Sequence, residues 1–179
     1  MATTTKLSEL TGDYVLDPTR TRIGFVVRQV MVMKVRGWYD EFEGYAQLDG
    51  DDPSKSSVQL MIQAKSINTG NPRRDKHLSS AFLNTAGHPA ISFTSTKVEQ
   101  VSQANFRITG ELSIRSTTKA VVVDFELITA DESRVGFEGR ATISRKDFGV
   151  SWNAVLEGGG AFVGDEVTLE FGVTAIRRS

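Results

Sequence analysis

The residues with the clearest capacity for chemistry fall into two charged clusters. Arg73, Arg74, Asp75 and His77 crowd one short stretch. Two guanidinium forks beside the free N–H groups of a helix start would suit a phosphate or carboxylate head. The competing reading is a cluster that pairs within itself and only pins a loop. Arg145 and Asp147 close the segment RVGFEGRATISRKD, and Arg145 keeps the inward parity of Ile143. An inward arginine at a strand end must be paired or wet. Asp147 is the expected partner, and a polar ligand head could share the same arginine.

Other motifs carry less. Ser116-Thr117-Thr118-Lys119 matches S-x-x-K, but the S-D-N and K-T-G elements of that chemistry are missing and the tetrapeptide reads as a turn between strands. Gly158-Gly159-Gly160 has no following G-K-[ST] and is a flexible connection rather than a phosphate loop. Asp49 to Asp52 lacks the ligand spacing of a calcium loop. His88, ahead of Pro89, reads as hydrogen-bonded scaffold. With no cysteine and only two histidines, thiol chemistry, disulfides and multi-histidine metal centres are set aside. No catalytic residue, metal or cofactor is assigned.

The 21 Lys and Arg against 22 Asp and Glu leave a net charge of -1, so no basic field announces nucleic acid. FVVRQVMVMKVRGWYDEFEG, the most apolar stretch, is interrupted by Arg28, Lys34 and Arg36 and is no transmembrane segment. The opening MATTTKLSELTGDYVLD lacks the apolar run of a secretion signal, and the expected location is cytoplasmic.

The elements that must position these residues are strands. In NFRITGELSIRS, Phe106, Ile108, Gly110, Leu112 and Ile114 share one face. The same period-two alternation runs through SSVQLMIQAKSI, TKAVVVDFELIT, RVGFEGRATISR and DEVTLEFGVTAI. With TRIGFVVR, VRGWYDEFEGYAQLD and PAISFTSTKVEQV, the pattern predicts about eight strands and an all-β chain. The exception is NPRRDKHLSSAFLNTAG, where Asn71 is a good N-cap and Pro72 suits the first helical position. One short helix is expected there, with Leu78 and Phe82 paired on one face, closing near Gly87.

Eight antiparallel strands can form a sandwich or close into a barrel, and an eight-stranded barrel is either filled by side chains or holds one small ligand. Gly110, Ala64, Gly139 and Ala141 are small and inward by parity; they leave space or mark bends. Met31 and Met33 break the alternation at a corner. Their thioethers could line an adaptable apolar mouth or fill a gap in the core.

Several stretches together carry a resemblance: YVLD (14–17), F-x-V-R (25–28), MV-x-KVRG (31–37), INTGN-x-x-RD-x-HL (67–78), FTSTKV (93–98), GELSIR (110–115), ISRKDFGVSWN (143–153), LEGGG (156–160) and VGDEV (163–167). The chain resembles the YceI-like family of lipocalin-like domains. That resemblance implies an extended eight-stranded antiparallel barrel with a short helix over residues 14–179, preceded by an extension at 1–13. It implies a binding protein rather than an enzyme, with a polyisoprenoid, isoprenoid quinone or fatty-acid derivative in the barrel, and homodimers among its members. By position, Ile23, Phe25, Val27, Phe42, Leu60, Ile62, Phe93, Phe106, Ile108, Phe125, Phe137, Ile143 and Phe171 would line the pore or its floor. Met31, Met33, Trp38, Phe82, Phe148 and Trp152 complete the expected ligand-binding set. Arg73, Arg74, Asp75, His77, Arg145 and Asp147 are the candidates for the head group.

The sequence departs from the family where members commonly carry His in place of Arg20 and Gln29, an Asp within SSAFLN, Gly at Ser116 and Pro at Ala120. An enzyme acting on a lipid-like molecule and a ligand-free structural barrel are the alternative readings.

Overall fold

The computed structural model describes residues 7–29, 34–149 and 163–178. Eleven strands form one antiparallel sheet: β1 (Gly12–Leu16), β2 (Arg22–Gln29), β3 (Lys34–Tyr39), β4 (Phe42–Leu48), β5 (Ser57–Gln63), β6 (Ile67–Asn68), β7 (Ala90–Gln100), β8 (Asn105–Ile114), β9 (Thr117–Ala130), β10 (Arg134–Ser144) and β11 (Val163–Arg178). The order β1-β4-β5-β7-β8-β9-β10-β11 returns to β1 through the β1–β11 pairing, which closes an eight-stranded barrel. Closure gives each of these strands a partner on both sides over at least part of its length, although the β9–β10 ladder runs only between 124–130 and 135–140. β2, β3 and β6 continue the lines of β1, β4 and β5, because β11 pairs with β1 at Ala175–Arg178 and with β2 at 163–172. The eight predicted segments are therefore eight staves, three of them broken midway.

Each break has a local cause. Between β1 and β2, Pro18 lacks a donor for the ladder, and Asp17 Oδ1 accepts from the Thr19 backbone N–H at 3.0 Å and from its hydroxyl at 2.7 Å. The other two breaks are coupled across neighbouring staves. A 3₁₀ turn at Ala64–Ser66 separates β5 from β6, and the Asp40 N–H donates to the Ser66 carbonyl at 3.0 Å. The Glu41 N–H donates to Ser66 Oγ at 3.0 Å, so the kinks of both staves share their orphaned backbone groups.

Three inward glycines are covered by phenylalanine rings. A Cβ at Gly37, Gly110 or Gly139 would collide with Phe25, Phe93 or Phe125 respectively. Phe25 lies opposite Gly37 and Phe125 opposite Gly139 in register, and Phe93 reaches Gly110 diagonally from two residues along β7. The space expected at Gly110 and Gly139 is thus occupied by rings. Ala64 and Ala141 are buried in the core.

The helix begins as expected. Asn71 Oδ1 accepts from the Arg74 N–H at 3.1 Å, and Pro72 opens α1 (Pro72–His77). It is shorter than expected, because Leu78–Phe82 widens into a π turn in which the Leu83 N–H reaches the Leu78 carbonyl at 2.9 Å.

An apolar lumen through the barrel

The strand termini define two ends. At the near end lie the N-terminal 3₁₀ turn Leu7–Leu10 and the connections 49–56, 101–104 and 131–133. At the far end lie the connection 69–89 with α1, the turn at 115–116 and the 3₁₀ turn Arg145–Phe148.

Between them runs a cavity of about 200 Å³. One water needs only about 10–15 Å³ on this measure, whereas compact drug-sized ligands occupy pockets of about 300–1,000 Å³. The space therefore suits a slender chain. Its lining includes Phe106, Ile108, Leu112 and Ile114 of β8, a run of inward positions about 26 Å long measured along the strand. Opposite stand Leu169, Phe171, Val173 and Ala175 of β11. Edge-to-face and tilted ring contacts fix the aromatic wall, with Phe125 centred 6.4 Å from Phe137 and 5.9 Å from Phe171.

Of the residues expected to hold a ligand, Ile23, Leu60, Ile62, Phe93, Phe106, Ile108, Phe125, Phe137 and Phe171 meet along this lumen. Phe25, Val27, Phe42, Ile143 and Phe148 pack instead in the core cluster with Leu83 and Ile67, outside the cavity lining. Trp38 stands on the outer face, one step after the inward Gly37. The Arg22 guanidinium lies 5.2 Å from its ring centroid, and its Nε1 donates to Asp40 Oδ1 at 2.9 Å. Met31, Met33 and Trp152 lie outside the described residues, as does the side chain of Phe82.

The charged candidates are gathered at the far end, and none of them lines the lumen. Arg74 donates from Nε to Thr69 Oγ1 at 2.8 Å and from Nη2 to the Thr69 carbonyl at 3.0 Å. Asp75 Oδ1 accepts from the Thr69 N–H at 2.8 Å and from its hydroxyl at 2.5 Å. Both side chains are thereby committed to pinning a buried threonine. Arg73 is exposed and His77 half-buried in the same segment. Arg145 is buried as its parity predicted, but its ion pair is with Asp165 at 3.4 Å rather than with Asp147, which is exposed. Asp165 stands at the start of β11, the neighbour of β10, and also pairs with Lys146 at 3.3 Å.

The near end supplies lining that the sequence reading omitted: Leu7, Leu10, Tyr14, Leu16 and Leu48. Alternation in GDYVL marks Tyr14 and Leu16 as inward. Leu7 and Leu10 carry no such signal, because a single 3₁₀ turn has no strand period. That turn is latched by side chains from distant sequence. The Tyr14 hydroxyl donates to the Leu10 carbonyl at 2.9 Å and accepts from Arg177 Nη2 at 2.9 Å; the same guanidinium reaches the Glu9 carbonyl. Among the described residues, no group of three or more His, Asp or Glu side chains could hold a metal, and no helix is long and apolar enough to cross a membrane.

The YceI-like domain family matches residues 14–175. A UPF0312 protein of Azotobacter vinelandii is 34% identical over 149 residues, covering 79% of this chain and 78% of that protein. Protein YceI of Escherichia coli is 32% identical over 151 residues, covering 80% and 78%. Among solved structures, BcnA of Burkholderia cenocepacia superposes with a TM-score of 0.80 at 19% identity, covering 89% of this chain and 98% of that one. A polyisoprenoid binding domain from Saccharophagus degradans superposes with a TM-score of 0.72 at 14% identity, covering 92% and 98%. At these identities the two structures speak for the fold, and the family assignment rests on the domain match and the bacterial relatives. By these matches, the chain belongs to the YceI-like family.

Proposed function

We propose that the barrel binds and carries one long apolar amphiphile, an isoprenoid or acyl chain, with its tail in the lumen. The observation that carries this reading is the continuous apolar lining from Leu48 at the near end to Ile114 and Val121. Each methylene withdrawn from water into such a lining contributes about 0.8 kcal/mol, so the affinity would come mainly from the tail. Family membership and the described ligand class of the Saccharophagus domain point the same way.

Catalysis receives no comparable support. His88 Nδ1 and Ser116 Oγ are 2.8 Å apart, the geometry of a base beside a nucleophile, but both belong to far-end connections and neither lines the lumen. The test is to obstruct the lumen. Val173 lines it opposite Phe137 on β10, and Val173→Trp should abolish uptake of a long-chain fluorescent lipid while the barrel still melts cooperatively. Undiminished uptake by a folded Val173→Trp protein would refute the proposal.

A further inference from the structure

Tyr39 brings to the lumen a polar group that has no hydrogen-bond partner among the described residues. Tyr39 ends β3 at an inward position, two residues after the inward Gly37, and lines the cavity. Its ring packs 5.7 Å from that of Phe25. Among the described residues no group hydrogen-bonds its hydroxyl, which nonetheless keeps accessible surface. The residue is half-buried, and burial pushes the phenol well above the ordinary tyrosine pKa. Tyr14, also inward, differs in having both its donor and its acceptor capacity used by Leu10 and Arg177.

The charges of the lining complete the picture. Among the described residues, no lysine, arginine or histidine lines the cavity, and Asp49 at the near end is the one carboxylate that does. An ionised phosphate or carboxylate drawn inside would lose its water and meet no cation, a cost that a chain's own burial would have to overcome. A buried donor without a partner, by contrast, gains from any acceptor brought to it.

Resting on the carrier reading above, we propose that Tyr39 donates a hydrogen bond to an uncharged oxygen acceptor of the ligand. The cargo is then an amphiphile bearing a carbonyl, ester or hydroxyl oxygen and no ionised head. This separates the ligand from the far-end arginines, which the Thr69 and Asp165 contacts already engage in part.

Matched long-chain probes test this by competing for a bound lipophilic fluorophore: 2-heptadecanone, heptadecane, hexadecyl phosphate and hexadecyltrimethylammonium. The ketone should bind the wild type about fivefold more tightly than the hydrocarbon, the ratio expected for one hydrogen bond. In Tyr39→Phe the two should bind alike, with the hydrocarbon unchanged, and the phosphate should be weakest in both proteins. In protein labelled with 3-fluorotyrosine, the Tyr39 ¹⁹F resonance should move with the ketone and not with heptadecane. A ketone preference that survives in Tyr39→Phe, or tightest binding by the phosphate or the ammonium probe, would overturn the assignment. Heptadecane binding in both proteins would then still uphold the carrier reading, whereas displacement by no probe at all would sink both.

Discussion

Phe125 lies directly across from Gly139 and lays its ring over the bare glycine backbone, so closely that a Cβ there would strike the ring. The pair is part of the lumen wall as well as of the sheet, because Phe125 also meets Phe137 and Phe171. Gly139→Ala must push the ring toward the cavity or bend β10, and overpacking of this kind costs about 1–3 kcal/mol. A lower urea midpoint at unchanged slope is expected. Shortening the ring in Gly139→Ala with Phe125→Leu should recover part of the loss, since residues in contact do not act additively.

The near-end latch depends on one buried hydroxyl. Tyr14→Phe removes the donor to the Leu10 carbonyl and one acceptor for Arg177, which keeps only its contact with the Glu9 carbonyl, at a cost of about 1–3 kcal/mol. The amides of Leu7–Leu10 should then exchange with deuterium much faster than in the wild type, while those of β8 and β9 keep their relative protection. Equal protection of the turn in both proteins would show that Tyr14 does not hold it.

At the far end the Thr69 cluster is a structural pin. Thr69→Val strands Arg74 Nε and removes one donor to Asp75, and the protein should lose about 1–3 kcal/mol. Affinity for an uncharged long-chain ligand should stay within about twofold of the wild type, because none of these groups lines the lumen. A large loss of affinity without a loss of stability would return the cluster to the role of a head-group site.

The outer face carries a pH-dependent contribution. Arg140 Nη2 and Arg36 Nη1 each donate to a different oxygen of Glu170 at 2.8 Å, bridging β10, β11 and β3 across the bare Gly24 of β2. The hydrogen bond from Arg140, with Arg36 beside it, holds the Glu170 carboxyl below its ordinary value. A depressed folded pKa means that the contribution is present above the unfolded value, about 4.3, and is lost as the pH falls through the folded one. Both arginines are largely exposed, so the network is worth no more than about 1 kcal/mol. Glu170→Gln should therefore be slightly less stable than the wild type at pH 7. The two stability curves should converge on acidification, and a gap that widened toward low pH would contradict the assignment.

Much of this architecture is legible in the sequence because alternation is local. Phe106, Ile108, Leu112 and Ile114 declare their face from twelve consecutive residues, and Asn71 with Pro72 marks the helix start without knowledge of the rest. What alternation does not carry is pairing across the sheet. The partner of Arg145 is Asp165 on the next strand, not the nearby Asp147, and Gly139 is filled by a ring from another stave. Ala64 follows the inward parity of Ile62 but sits in a 3₁₀ turn, where parity ends. Trp38 and Tyr39 are adjacent and face opposite ways, so placing the lumen's donor required the register around Gly37.

Whether the lumen holds a long apolar chain is read by native mass spectrometry of gently purified protein, followed by organic extraction. A discrete adduct of one isoprenoid or acyl chain per barrel is expected, released by extraction and missing from Val173→Trp. A clean apo mass that persists after incubation with uncharged isoprenoid and acyl ligands would contradict carriage of such a chain.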